Sequence, residues 1–250
     1  MRSCIAVFYI AIFCCPATAL ALSQVERAQR DPDALYRERT DLTKAREAVD
    51  IWEMRLEANP KDFESAWKIA RAMYWLGRHG DQNSRRLALE RGVAAGRQAA
   101  ALQPTRPEGF FWMGTCMGEI AETSGRMKAL GLKDDIKAAF EAVLRIDPGF
   151  QAGSADRGLG RWYFKVPGLF GGSRKKSEDH LRKSLEYDPN STTSHFFLAE
   201  TLLADDRDRE ARDELNKVLA VPINPEWAPE DREFKEKAQA LLQTMNTRRP

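Results

Sequence analysis

Three histidines, His79, His180 and His195, are the side chains in this 250-residue chain best suited to proton transfer or metal ligation. Both chemistries need convergence: a base within reach of a second titratable group, or ligands paired at a fixed helical spacing. The three fall in a turn, on the second helix of a hairpin and at a packing position, and no ligand spacing joins them. His195 reads as a core or interhelix residue. Asp205, Asp206 and Asp208 are acidic enough for calcium, but the stretch lacks the glycine and terminal glutamate of a calcium loop, so turn and cap duty fits better. Residues 168–177 are glycine-rich and basic like a phosphate loop, yet contain no Gly-Lys-Ser/Thr and follow no strand pattern. Asn190-Ser191-Thr192 is a glycosylation sequon, relevant in a eukaryotic secretory route. Nothing here assembles an acid–base, metal or cofactor site, and the chain reads as non-catalytic.

The N-terminus differs in kind from the rest. Arg2 precedes an uncharged apolar run of 11 residues, Ile5 to Cys15, then Pro16 and the small-residue patterns ending at Ala19 and Ala21. That is the build of a secretory signal peptide over residues 1–21, leaving 22–250 as the exported domain. The run is shorter than the roughly 20 helical residues a membrane span needs. A lipid anchor would want small residues before Cys15, where Phe13 and Cys14 stand, so soluble export to the periplasm is favoured over a lipoprotein. Cys4, Cys14 and Cys15 leave with the leader; Cys116 then stands alone on an apolar helix, a small core residue without a disulfide partner. With 39 basic against 37 acidic side chains there is no field to recruit nucleic acid.

The elements that must position any site follow from prolines and apolar spacing. Residues 184–222 form one helical hairpin: Leu198, Ala199 and Leu202 make a stripe on a first helix, residues 205–208 a polar turn, and Ala211, Leu215 and Val218 a stripe on a second. Related phrases, LEANP, ALQP, LRIDP and LEYDP, end at Pro60, Pro104, Pro148 and Pro189, and Pro222 closes the series. Proline cannot continue a helix, so each phrase ends one hairpin and opens the next. The expected fold is all-α: a solenoid of about five hairpins, beginning with a short helix over 24–38 and capped by a helix over 229–245 that carries Phe234, Ala238, Leu241, Leu242 and Met245 on one side.

The last hairpin has the roughly 34-residue period of the tetratricopeptide repeat, and Ala66, Ile69, Ala70, Met73 and Gly77 occupy the small, apolar and turn positions of its first helix. The chain therefore resembles tetratricopeptide-repeat proteins. More narrowly, the phrases ARAMYWLG (70–77), GLGRWYFKVPGLFGG (158–172), residues 184–189 and LAET (198–201) are similar to the periplasmic T component associated with TRAP transporters. The resemblance implies assembly with a protein partner of the cell envelope, such as the transporter's substrate-binding subunit, binding of a hydrophobic ligand, and room for self-association.

The proline intervals are 44, 44, 41 and 33, so three units are longer than a plain repeat. The extra residues lie before the second helix over 85–102, around 124–133 and at 165–173. Helical extension is expected for the first; the second is open between helix and loop. The third is an apolar connector, with Phe164, Leu169 and Phe170 among its side chains, that either folds back on the stack or lines a ligand or partner site. In a tetratricopeptide stack the first helices face the concave side. The register places Trp67, Phe111, Ala155 and Phe196 in one row there, with Tyr74, Trp162 and Leu203 a step further. This aromatic lining suits a small hydrophobic ligand or an apolar partner segment; core packing is the competing reading. Two functions follow: an exported scaffold assembling with a transport-system protein, or a carrier of a small hydrophobic ligand in the concave groove.

Overall fold

The structure, a computed structural model, describes residues 30–247, so the leader over 1–21 and residues 24–29 of the expected opening helix lie outside it. Eleven α-helices and two short 3₁₀ turns make up the described chain, and no strand occurs among these residues. The first, α1 (Pro32–Arg37), starts later than the pattern predicts. Asp31 accepts the Asp33 backbone N–H and Pro32 sits where a missing N–H costs nothing, so a new helix begins there. It packs on α2 (Leu42–Ala58), capped by Asp41.

Four hairpins follow: α3 (Phe63–His79) with α4 (Gln82–Leu102), α5 (Pro107–Thr123) with α6 (Arg126–Ile146), α7 (Ser154–Lys165) with α8 (Arg174–Tyr187), and α9 (Thr192–Ala204) with α10 (Asp208–Ala220). The last helix, α11 (Ala228–Thr247), lies against α9 and α10 through Phe234, Ala238 and Leu241. Helix starts are written in the sequence: Asp62, Asp81, Ser173 and Ser191 each accept a first-turn N–H.

The first addition is helical as expected, and the second, open between helix and loop, is helical as well. α4 and α6 each run 21 residues, about 31 Å, against about 20 Å for the 13-residue α9 and α10. The third addition is a connector around the 3₁₀ turn Gly168–Phe170. It returns sharply: the N–H of Gly172 donates to Pro167 O at 3.2 Å and that of Ser173 to Tyr163 O at 2.9 Å. A side chain at Gly172 would meet Val166 O at 1.6 Å, so only glycine can close this loop.

The core falls into two large clusters, one over α1–α7 and one over α8–α11. Small residues bring the helices together. Gly109 of α5 lies against the α4 backbone, where an added Cβ would sit 2.4 Å from Ala100 N, and Gly160 of α7 receives Leu181 of α8. Cys116 is wholly buried and its thiol lies 3.6 Å from Ala70 O; burial pushes its pKa well up, consistent with a packing role.

Gly109→Ala must displace backbone and is expected to cost about 1–3 kcal/mol in urea unfolding. Gly118→Ala, whose Cβ meets nothing within 4 Å, is expected to be neutral or to gain up to about 1 kcal/mol from helix propensity. Equal effects would refute close approach at Gly109 as the controlling contact.

A central cavity closed by the C-terminal helix

α11 does more than cap the stack. Arg39, in the turn after α1, donates from Nε to Glu230 Oε1 at 3.2 Å, from Nη2 to Glu230 Oε2, and from Nη2 to Glu226 O at 3.4 Å. Its guanidinium lies over the rings of Tyr36 and Trp75, 5.2 and 5.0 Å from their centroids, and Trp75 Nε1–H donates to Arg39 O at 2.7 Å. On α3, Arg78 reaches Glu233 at 3.1 Å and Glu119 at 3.2 Å, while His79 Nε2 meets Glu233 and its Nδ1 meets Trp75 O at 2.9 Å. The superhelix thus bends far enough for its last helix to touch its first ones, and charged side chains make the joint.

Burial raises the Glu233 pKa, but the His79 hydrogen bond and the Arg78, His79 and Lys237 charges outweigh it, bringing the carboxyl to about 2. Asp231, 7% exposed, accepts Thr192 Oγ1–H at 2.7 Å and Asn224 N–H at 2.8 Å, which seats the start of α11 on α9.

Inside lies a cavity of about 1560 Å³, against the roughly 300–1,000 Å³ usual for small-molecule sites. Tyr74 and Arg78 of α3, Phe111 and Trp112 of α5, Arg157 and Trp162 of α7, Phe197 of α9 and Phe234 of α11 stand on its wall, with residues 221–227 along one side. The rings interlock: Phe111 packs edge-on to Trp112 at 4.9 Å, Tyr74 lies 6.0 Å from Trp112, and Trp162 packs edge-on to Tyr163 at 4.9 Å. Trp162 is fixed by an Nε1–H bond to Lys133 O at 2.7 Å. Burial pushes the Tyr74 hydroxyl pKa well up, against the opposing pull of Arg78. Arg161 is held at both ends, by Glu122 at 2.9 and 3.1 Å and Glu200 at 2.5 Å. Burial alone would raise the Glu122 pKa; the Arg161 hydrogen bond and charge bring it below the ordinary value instead.

The concave row divides. Tyr74, Phe111 and Trp162 stand on the cavity wall. Trp67 instead lies between the α3 packing face and solvent, its Nε1–H bonded to Glu64 at 2.9 Å and the Arg71 guanidinium 5.0 Å from its ring. Ala155 is wholly packed in the front cluster; Phe196, against Phe197 and Phe234, and Leu203 belong to the rear one. The face of each first helix that meets the cavity is not at one fixed register position, so neighbours such as Trp112 and Phe197 take wall places. Phe164, expected in the connector, instead belongs to the last turn of α7, half-buried beneath Arg161 and Lys165, because the helix runs on to Lys165; in the connector itself Leu169 is 89% and Phe170 42% exposed.

A family profile matches residues 57–247, that of the TRAP transporter T-component. The chain belongs to this family. Similar solved structures include TTC0263, a thermophilic TPR protein of Thermus thermophilus, at 21% identity and a TM-score of 0.64 over 85% of this chain and 97% of that one. PilW, a type IV pilus biogenesis factor, gives 19%, 0.54, 85% and 90% in the same order. MamA from Desulfovibrio magneticus gives 18%, 0.52, 77% and 96%. At these identities the likeness establishes the tetratricopeptide fold. No curated protein matches the chain.

In this T component the histidines tie helices together. His180 Nδ1 bonds Asp156 at 2.7 Å with its ring stacked on Tyr163, and His195 is held between Glu214 at 2.5 Å and Pro189 O at 2.9 Å. Asp205 pairs with Arg174 at 3.0 Å, Asp206 takes a left-handed turn conformation at φ +56°, and Asp208 sits in the first turn of α10. No cluster of three potential metal ligands occurs among the described residues. None of the helices in the described chain is long and apolar enough to cross a membrane.

The Glu233 contribution is complete above its ordinary pKa of 4.5 and disappears as the pH falls through about 2. The Tm is therefore expected to drop across that window, with faster amide exchange in α11, and Glu233→Gln to lower the Tm above pH 4.5 while flattening the acid slope. An unchanged slope would show that the joint contributes nothing to stability.

Proposed function

We propose that this T-component protein is a non-catalytic part of a transport system in the cell envelope, exported to the periplasm, and that its central cavity encloses a small hydrophobic ligand on behalf of a protein partner. The partner in this reading is another component of the transporter, such as its substrate-binding subunit. The cavity carries the reading. A stack serving only as a scaffold has no need to bend until its ends join, or to surround the enclosed space with aromatic rings. Each apolar ligand group buried there gains about 25 cal/mol for every Å² removed from water, so a modest apolar molecule gains several kcal/mol before its lost freedom is counted.

A second reading, a scaffold acting through its outer surface, is favoured by the connector tip. Leu169 and Phe170 are presented to solvent on a glycine-closed loop, an arrangement suited to contact with another protein. The two roles are compatible and separable.

Gly118 lines the cavity and has open space around its Cβ, so Gly118→Leu is expected to project an apolar side chain into the chamber and narrow it without disturbing the core. It should weaken binding of the fluorescent apolar probe N-phenylnaphthylamine about tenfold or more and leave capture of the partner subunit from native periplasm unchanged. Leu169→Asp with Phe170→Asp should do the reverse. Failure of the wild-type chain to bind any apolar probe would defeat the ligand reading; loss of partner capture in neither variant would defeat the second.

A further inference from the structure

The cations around the cavity are not alike. Arg78 and Arg161 each bind two carboxylates, Lys133 pairs with Asp134, and Lys165 with Glu122. Arg126 has no ion pair among the described residues but is exposed, and water solvates it. Arg157 is different. It stands on the wall from α7, only partly exposed, and its side chain makes no hydrogen bond or ion pair with any described residue. Burial lowers its pKa to about 10, partly offset by the charges of Asp188 and Tyr74, so it remains cationic at neutral pH in a place that disfavours charge. Asp188 is outside ion-pair distance, and its Oδ1 accepts the Asn190 N–H at 2.9 Å.

Two further donors belong to the same wall. The Tyr74 hydroxyl of α3 has no hydrogen-bond partner among the described residues and lies near enough to Arg157 to act on it electrostatically. Trp112 of α5 is 5% exposed, and its Nε1–H is buried without an acceptor. A buried donor left unpaired costs about 1–3 kcal/mol; of these three groups the Trp112 Nε1–H is the one buried without a partner, while the Tyr74 hydroxyl and the Arg157 guanidinium are on partly exposed side chains that line the cavity. Phe111, Trp162, Val166, Phe197, Ile223 and Phe234 supply the apolar remainder of the wall.

We infer that Arg157, with the Tyr74 hydroxyl as a neighbouring donor, holds the single carboxylate of an otherwise apolar ligand in the central cavity. The inference rests on the cavity reading proposed above and narrows it to an amphipathic monoanion. A guanidinium receives a carboxylate through two parallel N–H bonds. A dianion fits worse, because Glu119, Glu122 and Asp188 also line the space, while of the cations there only Arg157 and the exposed, solvated Arg126 lack an ion pair among the described residues.

The test compares dodecanoate with dodecanol, which share the apolar chain and differ in charge, as competitors of N-phenylnaphthylamine on the delipidated full chain below their aggregation limits. Dodecanoate is expected to bind about tenfold or more tightly, the margin of a charged hydrogen-bonded contact. Arg157→Gln should bring dodecanoate to the dodecanol level and leave dodecanol unchanged, with Arg157→Lys intermediate. If dodecanol equals dodecanoate in the wild type, the carboxylate assignment is wrong while the apolar cavity stands. If neither displaces the probe, both readings fall. The wild-type comparison decides the matter even if Arg157→Gln does not fold.

Discussion

A stack of helix pairs has two ends, and in this protein they meet through charge. Arg39 is buried over two aromatic rings and committed to Glu230, while Arg78 and His79 share Glu233. Breaking a buried pair on one side leaves an uncompensated charge, which costs far more than an exposed pair gains. The joint therefore constrains the curvature of everything between: α3, α5, α7 and α9 must present their inner faces to one space for α11 to arrive where Glu230 and Glu233 find their partners. The cavity is the geometrical remainder of that constraint.

Local and long-range information separate cleanly along the chain. Hairpins and the first of the two long second helices were legible because each depends on residues within a few turns, apolar spacing and a proline after a last turn, whereas the helix over the 124–133 addition stayed open between helix and loop. Asp31 and Pro32 show the limit, since the same local chemistry starts α1 later than the apolar pattern alone indicates. Closure was not legible. Arg39 and Glu230 are 191 residues apart, and Arg78 and Glu233 155, and no periodicity marks two ordinary surface-type charges as partners at such separation.

The wall was legible in part. Tyr74, Phe111 and Trp162 stand on the cavity wall, whereas Trp67, Ala155, Phe196 and Leu203 pack into the clusters instead. Arg157 carries a weaker sequence signal, a charge between Ala155 and Gly158 on a helix face otherwise committed to packing.

The connector after α7 belongs to two environments at once. Val166 and Pro167 form part of the chamber wall, and the chain then runs directly into Leu169 and Phe170 on the outside before Gly171 and Gly172 turn it back. Inner lining and outer tip are one short covalent lever, pinned at its base by the Ser173 to Tyr163 hydrogen bond. A force on the tip from without would reach the boundary of the space within through a covalent path only a few bonds long.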